Sequence, residues 1–139
     1  MRIKIFILFL FTLFSFLNNL YSQNITTEKA IWAVDYIKAK EGQLPDLLQF
    51  FELNWKGARK YAKKHKYVED YQWYVLPYNT DYQVVLMTKY KDQAQYDQRE
   101  ENFQKIFAKY KPKPILVNGK GSRDMSEIVK SEEFYEPKF

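Results

Sequence analysis

The sequence predicts one α+β domain in which an antiparallel four-stranded sheet carries two helices on one face. Two observations predict this class. Segments with apolar residues at every second position alternate with segments that repeat them every three or four positions, in the order strand, helix, strand, strand, helix, strand. The composition is 46% hydrophobic with four glycines and five prolines in 139 residues, which is typical of a globular chain and excludes collagen-like and disordered classes.

Before the domain, residues 1–22 are predicted to form a secretory signal peptide. Arg2 and Lys4 supply its positive start, and the apolar run Ile5–Leu17 follows. A helix of that length spans roughly 20 Å, short of the ~30 Å hydrocarbon core of a membrane. The run therefore suits the hydrophobic region of a signal peptide better than a membrane span.

Cleavage is expected after Ser22 or Gln23, which leaves residues 23–139 as a single domain, secreted or periplasmic, in a bacterium. An uncleaved N-terminal anchor is the alternative; after cleavage we expect no stable membrane insertion. The chain has no cysteine, which excludes a disulfide framework and fits a bacterial exterior or periplasm. Cleavage of the signal peptide removes two basic residues and lowers the formal charge from +5 to +3. A charge of +3 is too small to predict nucleic-acid binding.

The domain begins with a strand and a long helix. Ile31–Lys38 alternates large apolar residues, and Asp35 is the only acidic residue inside it. Leu44–His65 repeats apolar residues at helical spacing, and Pro45 suits its first turn. We expect Gly57 to mark a kink or a close approach in this helix.

A hairpin and a second helix follow. Tyr67–Leu76 and Tyr82–Tyr90 are predicted strands, joined by a turn at residues 77–81. Asp92 is the predicted N-cap of a helix that runs to about Tyr110 and ends before two prolines.

The last element is predicted from Glu127 to Tyr135. The segment alternates well enough for a strand, but Ile128 and Val129 also fit a helix, for which Asp124 would begin a capping box. We favour the strand because it completes the βαββαβ order, which is the ferredoxin-like arrangement.

Large apolar residues lie on both faces of the predicted strands. Trp32 alternates with Ile31 in the first strand, and Trp73 alternates with Tyr74 in the second. One face can pack on the helices. If the other face stayed in water, the fold would lose several kcal/mol of hydrophobic stabilisation, at roughly 25 cal/mol per Å² of buried apolar surface. It would also expose an apolar patch. We therefore expect a homodimer, since two-fold dimers are the commonest oligomers.

Two ferredoxin-like subunits packed sheet to sheet resemble the dimeric α/β-barrel superfamily. The resemblance spans about residues 31–135 and rests on the element order, the segment Trp32–Lys38, the helix that contains Trp55, and the segment Tyr71–Val75. The chain is similar to small secreted, uncharacterised members from Bacteroidetes-type bacteria. The superfamily includes cofactor-free monooxygenases of aromatic substrates and haem-degrading enzymes, and the resemblance implies an aromatic-lined pocket between sheet and helices or within the barrel.

The resemblance does not extend to a haem site. Haem-degrading members carry an iron-ligating histidine on the helix after the third strand, whereas Asp92–Tyr110 contains none, and the only histidine, His65, ends the first helix. We expect no cofactor and no metal site.

Four residues are candidates for binding a ligand: Asp35, Tyr71, Trp73 and Arg123. A charge at Asp35 is costly in mid-strand unless it is paired or faces a pocket; an edge position facing water is the alternative. Trp73 with Tyr71 could stack on a planar ligand, and core or dimer packing is the alternative. Arg123 could pair with a carboxylate, or lie on the surface.

No set of catalytic residues can be recognised, and neither a Gly-x-Ser-x-Gly elbow nor a complete phosphate-binding loop occurs. We therefore favour a secreted or periplasmic dimer that binds a small apolar or aromatic ligand, or a partner, without catalysis. The alternative is a cofactor-independent monooxygenase-like enzyme. A third hypothesis is that Lys56–Lys66 binds acidic surface polymers; otherwise these basic residues complement the helix dipole.

Overall fold

The computed structural model describes residues 29–110 and 113–137, so the predicted signal peptide lies outside the described residues. The strands are β1 Ile31–Ala39, β2 Asp70–Val75, β3 Val84–Tyr90 and β4 Ser126–Tyr135. The α-helices are α1 Leu44–Phe50, α2 Gly57–Lys64, α3 Gln93–Asp97, α4 Arg99–Lys109 and α5 Ser122–Met125.

The sheet has the order β2-β3-β1-β4, and every neighbouring pair is antiparallel. This is the ferredoxin-like α+β topology that the sequence predicts. β1 lies in the interior of the sheet, where Asp35 is opposite Leu86 of β3 and Ser131 of β4. The final element is a strand, which decides between the two predictions made for that segment.

The first helix departs from the prediction at its centre. Between α1 and α2 the chain forms a π-helical segment, Phe51–Lys56, so the predicted helix is continuous but not uniformly α-helical. Gly57 begins α2, and a methyl group at this position would lie 3.7 Å from Oη of Tyr110. That is an ordinary van der Waals distance, so the close approach predicted at Gly57 is not found. π-helical turns are rare and are frequent at functional sites.

The second helix begins as predicted and then divides. The side chain of Asp92 accepts a hydrogen bond from the backbone N–H of Gln95 at 2.7 Å, which is the N-cap interaction. Gln98 separates α3 from α4. Within the described residues no helix is both long and apolar enough to cross a membrane.

Among the described residues, two clusters of buried side chains form the hydrophobic core on the helix-covered face of the sheet. One includes Leu47, Val84 and Met125, and the other includes Ile31 and Ile106. Between them, adjacent strands carry small or polar side chains on the same face: Ala33, Asp35, Thr88 and Ser131. These short side chains leave space beneath the helices at the middle of the sheet.

The opposite face of the sheet mixes aromatic and charged side chains. Trp32 Nε1 donates a hydrogen bond to Glu136 at 2.9 Å, and the ammonium of Lys89 lies 5.6 Å from the Trp32 ring centre. Tyr74 and Phe134 on this face are 52% and 46% exposed. The two-sided distribution of aromatic residues predicted from the sequence is therefore present, with ion pairs among them.

Candidate functional site

A cavity of about 500 Å³, here called cavity A, lies over the gap between the two core clusters. Its volume is within the range of small-molecule sites. The residues that line it from the sheet and the helices are Ala33, Val34, Asp35, Thr88, Tyr90, Ser131, Glu132, Glu133, Arg59, Tyr96, Arg99, Glu100 and Phe103.

Arg59 of α2 and Arg99 of α4 supply the two cations of cavity A. Arg59 is the one fixed to the sheet. Its Nε–H donates a hydrogen bond to Oγ1 of Thr88 at 2.8 Å. Its guanidinium carbon lies 4.0 Å from the Phe103 ring centre and 5.1 Å from that of Trp55, which are cation–π distances. Among the described residues, only this one of the five guanidinium N–H groups has a hydrogen-bond acceptor.

Arg59 is half-buried. Burial lowers the pKa of its guanidinium to about 10, and nearby Tyr90 and Asp35 oppose that shift. The group therefore remains charged at neutral pH. Among the described residues no fully buried side-chain nitrogen lacks a hydrogen-bond partner, so the remaining N–H groups of Arg59 are open to water in the cavity. An acceptor oxygen of a ligand can take the place of that water.

Asp35 faces cavity A from β1. The hydroxyl of Ser131 on the adjacent strand donates a hydrogen bond to its Oδ1 at 2.6 Å. Because β1 is an interior strand, the alternative of an edge position is wrong. The carboxylate is only partly buried, so it can accept a hydrogen bond from a molecule in the cavity.

A tyrosine–glutamate pair forms another wall. The hydroxyl of Tyr96 donates a short hydrogen bond to Oε1 of Glu133. Burial first, and this hydrogen bond second, raise the pKa of Tyr96 to about 12. The Arg99 guanidinium lies 4.0 Å from the Tyr96 ring centre. Tyr96 is therefore a neutral phenol at physiological pH. Its hydroxyl is held by Glu133 and its ring is held by Arg99.

A second cavity of about 400 Å³, here called cavity B, also has Arg59 in its wall. Its remaining lining is mostly apolar: Phe50, Phe51, Asn54, Trp55, Ala58, Phe107, Pro114 and Ser122. The π-helical segment thus contributes part of this wall.

Of the four candidate ligand-binding residues, the structure places only Asp35 at cavity A or B. Tyr71 packs edge to face on Trp55 at 5.8 Å between ring centres, and Trp73 packs against the first core cluster. Arg123 is exposed, and its backbone carbonyl accepts a hydrogen bond from Lys40. The four residues do not come together.

Sequence reasoning missed Arg59, although a signal was available. Arg59 follows Ala58 and lies four residues after Trp55, so it falls on the apolar side of the helix and not among the solvated lysines. In the described part of the chain no three histidine, aspartate or glutamate side chains cluster as metal ligands. His65 is exposed and stacks on Tyr61, with 3.9 Å between ring centres.

No family model matches the sequence, and no curated protein matches it. One solved structure with a similar fold is a conserved protein of unknown function from Bacteroides thetaiotaomicron, described as a possible oxidoreductase. It has a TM-score of 0.51 and 11% identity, over 78% of this chain and 99% of that one. Another is HapK from Hahella chejuensis, with a TM-score of 0.47 and 16% identity, over 77% of this chain and 92% of that one. At 11% identity the likeness to the Bacteroides protein concerns the ferredoxin-like fold alone.

Proposed function

We propose that the protein is a secreted or periplasmic binding protein for a small aromatic or apolar molecule with one acidic oxygen, held in cavity A. The observation that carries this proposal is the guanidinium of Arg59. It is charged and partly desolvated, and its unused N–H groups lie at the wall of a cavity large enough for a ligand. A carboxylate or phenolate oxygen satisfies these donors, and such charge-assisted hydrogen bonds contribute about 1.5–3 kcal/mol each.

The other walls restrict the ligand further. Asp35, Glu100, Glu132 and Glu133 add negative charge to cavity A, which disfavours a ligand with several acidic groups. A hydroxyl on the ligand can instead donate to Asp35, while Phe103 and Tyr90 offer aromatic surface to a planar body. A monoacidic hydroxyaromatic compound such as 4-hydroxybenzoate combines these features.

Calorimetric titration with benzoate and 4-hydroxybenzoate tests the proposal. We expect Arg59→Gln to weaken binding at least tenfold, because it removes the charge and keeps a polar side chain of moderate length. Lys60→Gln, which removes a charge from the exposed neighbouring residue, should leave binding unchanged. Equal affinity of wild type and Arg59→Gln would contradict the assignment.

A catalytic role is the second candidate, and the presence of Asp35 with Arg59 in one cavity favours it. Asp35 would accept a proton from an acidic aromatic substrate, and Arg59 would stabilise the resulting anion, which can react with O₂ without a cofactor. Oxygen uptake with anthrone as substrate tests this role. Oxygen uptake by the wild type that disappears in Asp35→Asn would support the catalytic role. If the wild type takes up no oxygen, the catalytic role is wrong and binding is the proposed function.

We also propose that the protein acts as a homodimer through the sheet face that the helices leave uncovered. The exposed side chains of Tyr74 and Phe134 lie on that face, and Phe134 is opposite Trp32 on the adjacent strand. Burying them against a second copy would remove apolar surface from water, and the surrounding charged residues would form the polar rim.

A further inference from the structure

Arg59 belongs to two cavities of opposite character. Cavity A has carboxylates and hydroxyls among its lining residues, whereas cavity B is lined mainly by aromatic side chains. The guanidinium contacts Phe103, which lines cavity A, and Trp55, which lines cavity B. A single cation therefore marks the boundary between a polar and an apolar compartment.

The outer wall of cavity B is fixed by one side chain. Asn54 of the π-helical segment accepts a hydrogen bond from the backbone N–H of Ile115 at 2.8 Å and donates to the Ile115 carbonyl at 2.9 Å. The same amide nitrogen donates to the carbonyl of Phe50 at 2.9 Å. Because this holds the segment beside Pro114 against the helix, cavity B is formed in advance of any ligand.

Cavity B also presents apolar surface that the chain leaves partly open. Phe107 lines it and is 47% exposed, and its ring lies next to that of Phe103 at 6.1 Å between centres. These two phenylalanines, one turn apart on α4, give a continuous aromatic surface from cavity A to cavity B.

We propose that cavity B is the apolar subsite of the same binding site, and that the ligand is an elongated aryl-alkyl carboxylic acid. Its acidic end is held by Arg59 in cavity A, and its chain extends past the guanidinium so that the aryl end lies in cavity B. This inference rests on the proposed function of cavity A. The complementarity of the Arg59 guanidinium to one carboxylate, and of aromatic walls to an aryl group, specifies the ligand class.

A series of acids that differ only in chain length tests the inference: phenylacetate, 4-phenylbutanoate and 6-phenylhexanoate, each titrated calorimetrically. Burial of each added methylene increases affinity by up to about fourfold, so we expect 6-phenylhexanoate to bind at least tenfold more tightly than phenylacetate. Arg59→Gln should weaken all three acids.

Two variants of opposite size change the lining of cavity B. Ser122→Phe fills it, so it should abolish most of the gain in affinity with chain length while the affinity for phenylacetate stays the same. Phe107→Ala removes part of its wall, so it should also abolish most of the gain in affinity with chain length. Gln104→Phe, on an exposed position of α4, and Tyr78→Ala, at a 96% exposed position, are the matched controls and should keep the gain.

The outcomes separate the two claims. If phenylacetate binds and depends on Arg59 but affinity does not rise with chain length, cavity B is not a subsite and the inference is wrong. The inference is also wrong if affinity still rises with chain length in both Ser122→Phe and Phe107→Ala. If none of the acids depends on Arg59, the proposed function itself is wrong.

Discussion

The Nε–H of Arg59 on α2 donates a hydrogen bond to the hydroxyl oxygen of Thr88 on β3 at 2.8 Å. Thr88 is 4% exposed, so this bond fixes a charged helix side chain against the buried middle of the sheet. It uses one of five donors and directs the guanidinium between two aromatic neighbours. Ligand recognition in our account depends on the donors that this bond leaves available.

Tyr96 makes the stability of the domain sensitive to alkaline pH. Its pKa is raised from 10.0 to about 12 in the folded chain, so its stabilising contribution is complete below pH 10 and is lost as pH rises from 10 to 12. We expect the urea midpoint of the wild type to fall more steeply than that of Tyr96→Phe over this interval. Tyr78→Phe, at an exposed site, should behave as wild type; parallel curves for all three would refute the prediction.

Asn54 should control the mobility of the segment it binds. Asn54→Ala removes the acceptor of the Ile115 N–H, so we expect faster hydrogen exchange of that amide and a loss of about 1–2 kcal/mol in the free energy of unfolding. Gln49→Ala, at an exposed position of α1, is the control. Unchanged protection of the Ile115 amide in Asn54→Ala would show that the side chain does not hold this wall.

The dimer can be tested by sedimentation equilibrium at micromolar concentration. We expect the wild type to sediment as a dimer, and the double variant Tyr74→Lys with Phe134→Lys to shift to monomer because it places charges on the uncovered sheet face. Tyr78→Lys, which is exposed away from the strands, should remain dimeric. A wild type that is monomeric throughout would disprove the proposed interface.

Export leaves a defined product. When the full chain is expressed in a bacterial host, we expect the secreted or periplasmic protein to begin after Ser22 or Gln23, as N-terminal sequencing would show. Retention of Met1 in membrane-bound protein would instead support an uncleaved anchor.

The fold could be predicted because its signals are local. The period-two and helical patterns fix element types, and the N-cap at Asp92 depends on a residue three positions away. The π-helical segment could not be predicted, since its apolar spacing resembles that of an ordinary helix. Its position beside cavity B emerges only from tertiary packing.

The candidate site was predicted in part. Asp35 could be recognised because a charge inside an apolar strand needs a reason. The helical spacing of Arg59 from Trp55 separates it from the solvated lysines around it, but its place in a cavity wall depends on how α2 packs over the sheet. Trp73 and Tyr71 are aromatic residues of the kind that bind ligands, but in this fold they fill space between sheet and helix.

The side-chain Nε–H signal of Arg59 in a ¹⁵N NMR spectrum tests the central claim most directly. On titration with 4-hydroxybenzoate, we expect a saturable shift of this signal together with the backbone amides of Thr88 and Phe103. These amide shifts should be absent in Arg59→Gln. Shifts confined to the lysine-rich end of α2, with the Arg59 signal unchanged, would contradict the account.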